Sequence, residues 1–188
     1  MTVTPSAPNS SDTTRKIDPI VIQALPVGGG ILALSSLPGA GGDYAGDLEH
    51  LASWMPAMVI TLATPEEITA ANADGLGADV QDHGTRWVHF QIAPGDVPEV
   101  ASGETWDQIS ERARRALRGG GRVVVLCGDG GARSAMVALR LMIETGAAPG
   151  DTKDRLATAQ EAGIGNDNQI NWARGAEQNM PLFMRHSE

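Results

Sequence analysis

The sequence has only one cysteine, Cys127, among its 188 residues. One cysteine cannot form an intrachain disulfide, so the class of disulfide-rich secreted proteins is excluded and a cytoplasmic location is expected. Aromatic residues are also scarce, at 4% of the chain, whereas hydrophobic residues as a whole reach 41%. That hydrophobic content in a chain of this length predicts a single domain with one sizeable core.

Basic residues are outnumbered, with 14 Lys and Arg against 23 Asp and Glu, which gives a formal net charge of -9. An acidic chain lacks the basic surface that sequence-independent nucleic-acid binding requires, so no nucleic-acid partner is expected. The net negative electrostatic potential of such a chain repels anions. Any phosphate site must therefore be built from local hydrogen-bond donors.

Long hydrophobic runs are absent from the sequence. The longest, such as Val123 to Cys127, fall far short of the about 20 residues of a membrane-spanning helix, so no membrane association is expected. The beginning of the chain has no basic start followed by an apolar stretch and does not resemble a signal peptide. Residues 1–19, rich in Thr, Ser and Pro, predict a disordered arm before a domain over 20–179 and a tail over 180–188. The sequence predicts no oligomeric state.

Apolar β-branched runs alternate with helical periodicity along the rest of the chain. Strands are predicted at 31–34, 57–62, 86–92 and 122–126, and helices at 43–54, 65–84 with a break near 75–77, 104–117, 133–145, 149–162 and 167–178. This alternation predicts an α/β fold with a central, mainly parallel sheet flanked by helices. The run Gly28-Gly29-Gly30 precedes a strand, so we interpret it as a linker and not as a dinucleotide-binding loop.

The loop that follows the last predicted strand begins at Cys127. Parallel sheets bind ligands at the carboxyl ends of their strands, and the loop's three glycines let several N–H groups turn inward as an anion nest. The helix predicted to start near Arg133 adds its positive end. Such donors bind phosphate and lower the pKa of a neighbouring thiol from about 8.5 towards the range of about 3.5–7.5. We therefore predict Cys127 as a thiolate nucleophile, the alternative being a buried cysteine that acts as a small hydrophobic residue.

Two side chains complete the predicted phosphate loop. The planar guanidinium of Arg133 can hold two oxygens of a phosphoryl group, and the hydroxyl of Ser134 can hydrogen-bond the sulfur as it leaves. The predicted phosphate-binding residues are Gly128, Asp129, Gly130, Gly131, Ala132 and Arg133.

Hydrolysis also needs a proton donor for the leaving group. Asp96 is the candidate general acid because its loop, 94–98, follows a strand that can lie parallel to the strand before Cys127. The alternative for Asp96 is a turn residue that bonds its own backbone. Asp129 either points to solvent or acts as a substitute acid or selectivity element.

The remaining chemistry-bearing residues predict no further site. His50, His83, His89 and His186 lack the spacing of metal ligands, so neither a metal nor an organic cofactor is expected. We interpret the arginines between 112 and 118 as the solvent-exposed face of a helix, the alternative being a docking site for a phosphoprotein partner.

The segment from Cys127 to Ser134 matches the pattern C-x5-R-[ST], and the chain resembles the cysteine-dependent protein tyrosine and dual-specificity phosphatases, above all the kinase-associated phosphatase branch. Residues 31–39 resemble the opening strand and Leu-Pro-Gly turn of that branch, 92–98 its general-acid loop and 169–172 its closing helix. The resemblance implies a cofactor-independent phosphatase that acts on phosphotyrosine or phosphoserine/threonine of a phosphorylated protein through a phosphocysteine intermediate. It assigns the same roles to Cys127, Arg133, Ser134 and Asp96.

Three features depart from the family pattern. Leu126 stands where a histidine usually precedes the cysteine, Asp129 places a charge inside the loop, and no tyrosine-rich recognition loop is evident. Two alternatives therefore stay open: a catalytically weak phosphate-binding module, and a phosphatase for a non-protein phosphoester such as a phosphoinositide. A rhodanese-like sulfur transferase also uses a loop cysteine, but the Asp96 loop and the pair Arg133-Ser134 favour phosphoryl transfer.

Overall fold

The structure is a computed structural model that describes residues 19–99, 105–128, 131–147, 151, 152, 154, 156 and 165–176. The strands are β1 Gln23–Val27, β2 Gly30–Ser36, β3 Met58–Thr61, β4 Arg86–His89 and β5 Arg122–Cys127. The helices are α1 Tyr44–Ser53, α2 Pro65–Ala70, α3 Leu76–Asp82, α4 Trp106–Arg118, α5 Ala132–Thr145 and α6 Asp167–Arg174. The predicted arm, apart from residue 19, and the predicted tail lie outside these residues, as does most of the predicted helix 149–162.

The strands form one sheet in the order β1-β2-β5-β3-β4. The pair β1–β2 is antiparallel, and the pairs β2–β5, β5–β3 and β3–β4 are parallel. The predicted α/β fold with a mainly parallel sheet is confirmed. Strand β5 lies at the centre because its run Val123–Leu126 is apolar and fully buried on both faces. Since four strands run in the same direction, the loops that follow β2, β3, β4 and β5 open at one side of the sheet, which we call the carboxyl edge.

Helices cover both faces of the sheet. Alternate residues of β5 point to opposite sides, so that Val125 and Cys127 pack in the layer that contains α4, α5 and α6. Val124 and Leu126 pack in the other layer, with α1 and α3. No helix in the described part of the chain is long and apolar enough to cross a membrane. The alternation directs the side chain of Cys127 towards α5.

Strand β1 is an element that the sequence analysis did not predict. Gly28 and Gly29, with φ of 62° and 96°, form a two-residue turn that pairs Val27 with Gly30. Positive φ at both central residues is typical of a tight hairpin turn and is easily adopted by glycine. The interpretation of Gly28-Gly29-Gly30 as a linker is therefore wrong. Pro26 is compatible with β1 because this strand is at the edge of the sheet.

Helix α2 begins immediately beyond β3, at the carboxyl edge, with a capping box. The backbone N–H of Thr64 donates to Glu67 Oε2 at 2.8 Å, and the N–H of Glu67 donates to Thr64 Oγ1 at 3.4 Å. Pro65 occupies the first helical position, where its missing N–H leaves no bond unmade. These local interactions fix the position of the Glu67 carboxylate.

Candidate active site

Cys127 is the last residue of β5 and is almost completely buried. Its thiol donates to the hydroxyl of Ser134 with 3.4 Å between Sγ and Oγ, and that hydroxyl donates to the carbonyl of Gly131 at 2.9 Å. The structure thus brings together the sulfur and the hydroxyl that the sequence predicted as partners.

The amino end of α5 lies directly beyond the cysteine loop. Gly131, with φ of 100°, is the residue before the helix, and Ala132 is its first residue. A helix start of this kind presents backbone N–H groups and a partial positive charge to an anion. Two residues of the predicted loop, Asp129 and Gly130, lie outside the described residues.

Arg133 is fully buried and is held by a carboxylate from another part of the sheet. Its Nη2 donates to Glu67 Oε1 at 2.6 Å and its Nη1 donates to Glu67 Oε2 at 2.9 Å. Nη1 also donates to the carbonyl of Ile92 at 2.7 Å. Two parallel bonds to one carboxylate define the plane of a guanidinium group. The orientation of Arg133 is therefore fixed by contacts within the protein.

Glu67 is a site residue that the sequence analysis missed. The sequence predicted a helix that begins at residue 65, which places Glu67 in its first turn, and gave no sign of a distant arginine as partner. Its carboxylate also approaches the cysteine loop closely, since a Cβ atom added at Gly128 would lie 2.5 Å from Glu67 Oε1. A side chain at position 128 would therefore displace the Glu67 carboxylate.

The ion pair with Arg133 changes the titration of Glu67. Hydrogen bonding to Arg133 holds the pKa of Glu67 below its ordinary value, although partial burial of the carboxylate opposes this effect. A carboxyl group whose pKa is lower in the folded state stabilises the fold above its unfolded pKa. That stabilisation is lost as the pH falls through the folded pKa.

The loop that carries Asp96 follows β4 and opens at the same carboxyl edge as the cysteine loop, because β3 lies parallel to both β4 and β5. The side chain of Asp96 is exposed, and its backbone N–H donates to the carbonyl of Ala93 at 3.0 Å. Arg133 contacts the start of this segment through the Ile92 carbonyl. The predicted position of the Asp96 loop relative to the Cys127 strand is confirmed.

Two amide side chains of the α6 capping box hold the Asp96 loop. Asn166 accepts from the Gln169 N–H through Oδ1 at 3.0 Å, and its Nδ2 donates to the Gly95 carbonyl at 2.8 Å. Gln169 accepts from the Asn166 N–H through Oε1 at 3.1 Å, and its Nε2 donates to the Asp96 carbonyl at 3.0 Å. In each amide the oxygen caps the helix and the nitrogen binds the loop.

Helix α6 is in turn anchored to α5. Arg140 donates to the Trp172 carbonyl at 2.6 Å, and its guanidinium carbon lies 4.6 Å from the Trp172 ring centroid. Glu144 accepts from Arg140 Nε at 2.8 Å and from Trp106 Nε1 at 3.0 Å. Helix α5 therefore starts at the cysteine loop and also positions the helix that binds the Asp96 loop.

Comparison with known proteins places this geometry in a known fold. No protein-family model matches the sequence, and no curated protein matches it significantly. The structure of kinase-associated phosphatase with its catalytic-site cysteine substituted by serine is similar, with a TM-score of 0.74 and 22% identity over 87% of this chain and 97% of that one. The chain has the protein tyrosine phosphatase fold. The similarity in fold confirms the resemblance to these phosphatases that the cysteine loop predicted.

Two structures of a second phosphatase, Tk-PTP, are also similar in fold. The active form has a TM-score of 0.59 and 18% identity, covering 84% of this chain and 98% of that one. A mutant form has a TM-score of 0.62 and 17% identity, covering 84% and 95%.

We predict that Glu67→Gln destabilises the protein because it removes the carboxylate charge that pairs with the buried Arg133 guanidinium. Removing one member of a buried ion pair costs about 3–5 kcal/mol. Glutamine keeps an oxygen for the Thr64 N–H, so the helix cap is retained. Urea unfolding at neutral pH measures the free energy of unfolding.

The control for this prediction is Glu66→Gln, which removes a neighbouring, exposed acid of the same helix turn and should change stability little. The difference in the free energy of unfolding between the native protein and Glu67→Gln should become smaller in acid. The native protein also loses its ionised carboxylate there. Equal stabilities of the native protein and Glu67→Gln at neutral pH would contradict the assignment.

We also predict that the double substitution Asn166→Asp and Gln169→Glu loosens the Asp96 loop without unwinding α6. The carboxylate oxygens still cap the helix, but the donors to the Gly95 and Asp96 carbonyls are lost. Amide hydrogen exchange should become faster at Asp96 and stay unchanged in the middle of α6. Asn168→Asp, an exposed amide-to-acid change on the same helix, is the control and should leave both regions as in the native protein. Unaltered exchange at Asp96 in the double variant would mean that the amides do not hold the loop.

Proposed function

We propose that the chain hydrolyses phosphomonoesters of phosphorylated proteins through a phosphocysteine intermediate. The observation that carries the proposal is the cluster at the amino end of α5: a buried Cys127 thiol beside the Ser134 hydroxyl, next to an arginine whose plane is fixed by Glu67. The helix start and the Arg133 charge favour the thiolate form of the cysteine. A reducing cytoplasm suits such a nucleophile. The proposed reaction uses neither a metal nor an organic cofactor.

In the first step the Cys127 sulfur attacks phosphorus, and the bond from phosphorus to the leaving oxygen breaks. Asp96 gives its proton to that oxygen, so that an alcohol or phenol departs. The Arg133 guanidinium and the N–H groups of residues 128–132 hold the other phosphate oxygens. The products of this step are the free alcohol and a phosphorylated Cys127.

In the second step water attacks the phosphocysteine. The Asp96 carboxylate accepts a proton from the water, the new bond from oxygen to phosphorus forms, and the bond from sulfur to phosphorus breaks. The sulfur leaves as a thiolate, and the Ser134 hydroxyl stabilises it by turning its proton from the Gly131 carbonyl towards Sγ. Inorganic phosphate is then released.

We infer the substrate class from the sequence, which has no tyrosine-rich recognition loop. Tyr44 is the only tyrosine of the sequence and belongs to α1. The sequence therefore offers no tyrosine-rich loop that would deepen the entrance around the exposed Asp96. A shallow entrance admits the shorter phosphoserine and phosphothreonine side chains as well as phosphotyrosine, so we propose dual specificity.

A phosphate-binding module without turnover is the second candidate. The observation that favours it is Leu126, which is fully buried at the position that the resemblance gives to histidine. A leucine cannot make the hydrogen bonds with which a histidine would tune the thiol.

We predict that Cys127→Ser abolishes hydrolysis of a small aryl phosphate and that Asp96→Asn lowers kcat by about 10²–10⁴-fold. The general acid must carry its proton, so the native rate should fall on the alkaline side of the pH profile. That alkaline limb should disappear in Asp96→Asn. Asp82→Asn, an exposed change at the end of α3, is the control and should keep the native profile.

Two outcomes would overturn parts of this account. Native turnover no higher than that of Cys127→Ser, together with binding of a phosphopeptide, would establish the binding module in place of the enzyme. An alkaline limb that persists in Asp96→Asn would remove Asp96 from the role of acid and direct attention to Asp129.

A further inference from the structure

A second cluster of basic side chains lines a cavity away from the cysteine loop. The cavity has a volume of about 360 Å³. It lies where β3 and β4 begin, at the opposite side of the sheet from the carboxyl edge. We call it the arginine cavity, and its lining is Ala57, Met58, Gly84, Arg86, Arg112, Arg115 and Ala116.

The local structure directs three arginines towards this cavity. Arg86 is the first residue of β4 and pairs with Met58 of β3. Arg112 and Arg115 are three residues apart on α4, so their side chains share one helix face. The arginines that we interpreted as a solvent-exposed helix face thus divide into two groups. Arg112 and Arg115 line the cavity, whereas Arg118 does not.

The charges of two of the three cavity arginines, Arg86 and Arg115, are available to a ligand. No hydrogen bond or ion pair joins the Arg86 guanidinium to another side chain among the described residues. Arg115 pairs with Glu111 at 2.6 Å, but both side chains are largely exposed, at 76% and 62%. Exposed ion pairs contribute little, so an incoming anion can replace Glu111 as the partner of Arg115.

A concentration of positive charge is unusual in this chain, whose net charge is -9. At physiological ionic strength charges are screened over about 8 Å, so a ligand inside the cavity responds mainly to the arginines that line it. Guanidinium groups bind phosphate oxygens through paired, charge-assisted hydrogen bonds. Doubly charged phosphate therefore fits a cavity lined by Arg86 and Arg115 better than a singly charged carboxylate does.

The shape of the cavity suggests an ester more than a free ion. Its volume is near the lower end of the range of about 300–1,000 Å³ for small-molecule sites. Met58, Ala57 and Ala116 add apolar surface beside the guanidinium groups. We propose that the arginine cavity is a second anion site that binds a phosphate monoester. This site does not depend on hydrolysis at Cys127.

The test is a titration of the native protein with inorganic phosphate, followed by amide chemical shifts at an ionic strength kept constant with sodium chloride. The amides of Gly84, Arg86 and Ala116 report on the arginine cavity, and those of Ala132 and Arg133 report on the cysteine loop. We expect saturable shifts at the cavity. The double variant Arg86→Gln and Arg115→Gln should weaken phosphate binding there about tenfold or more, while shifts at the cysteine loop stay native.

Arg118→Gln is the matched control, because it removes an exposed arginine of α4 that does not line the cavity. It should leave both sets of shifts as in the native protein. The proposal is overturned if the cavity amides show no saturable shift, if the double variant binds phosphate there as the native protein does, or if Arg118→Gln weakens the binding equally. Equal losses of phosphate affinity in the two variants would indicate that phosphate responds to the overall positive charge of this region and not to the cavity.

Two further probes identify the source of the phosphate group. Phenyl phosphate and a short phosphoserine peptide are titrated into Cys127→Ser, so that the proposed hydrolysis cannot consume them. Tighter binding of phenyl phosphate at the cavity amides assigns the site to small esters, and tighter binding of the peptide assigns it to phosphoproteins. The absence of shifts at the cavity with both probes overturns the proposal.

Discussion

The candidate site depends on the ion pair between Arg133 and Glu67. A guanidinium group with no solvent exposure is stable only if its charge is matched, since the desolvation of one ion costs several kcal/mol. Glu67 supplies that charge from the first turn of α2, after β3, and the Ile92 carbonyl adds a hydrogen bond from the segment after β4. One side chain at the start of α5 thus ties together the chain segments that follow three parallel strands.

Helix α5 also positions the loop of the proposed general acid, Asp96. Its first turn carries Arg133 and Ser134 beside the cysteine, and its later residue Arg140 fixes α6 through the Trp172 carbonyl and ring. The amides at the start of α6 then hold the carbonyls of the Asp96 loop. The proposed nucleophile and the proposed acid come from distant parts of the sequence, yet both are positioned by contacts that lead back to one helix. This arrangement explains how an exposed loop could keep a reproducible position.

The parts of the site that the sequence predicted are mainly those whose residues lie close together in the chain. Cys127, Arg133 and Ser134 belong to one strand, loop and helix, so their proximity follows from the chain itself, and the Asp96 loop could be located because parallel strands end at the same edge. Glu67 could not be predicted as the partner of Arg133, because 66 residues separate them and only the folded sheet brings them together. Strand β1 was missed because Pro26 weakens its strand pattern and the glycine pair that follows permits a linker as readily as a tight turn.

The central claim is that this cluster binds phosphate through Arg133 while Glu67 keeps the guanidinium in place. A crystal structure of the Cys127→Ser variant soaked with inorganic phosphate tests it most directly. The account predicts a phosphate ion within hydrogen-bond distance of the Arg133 guanidinium and of loop N–H groups, with the two bonds from Arg133 to Glu67 unchanged. An empty cysteine loop at saturating phosphate, or a bound phosphate that does not contact Arg133, would contradict the account.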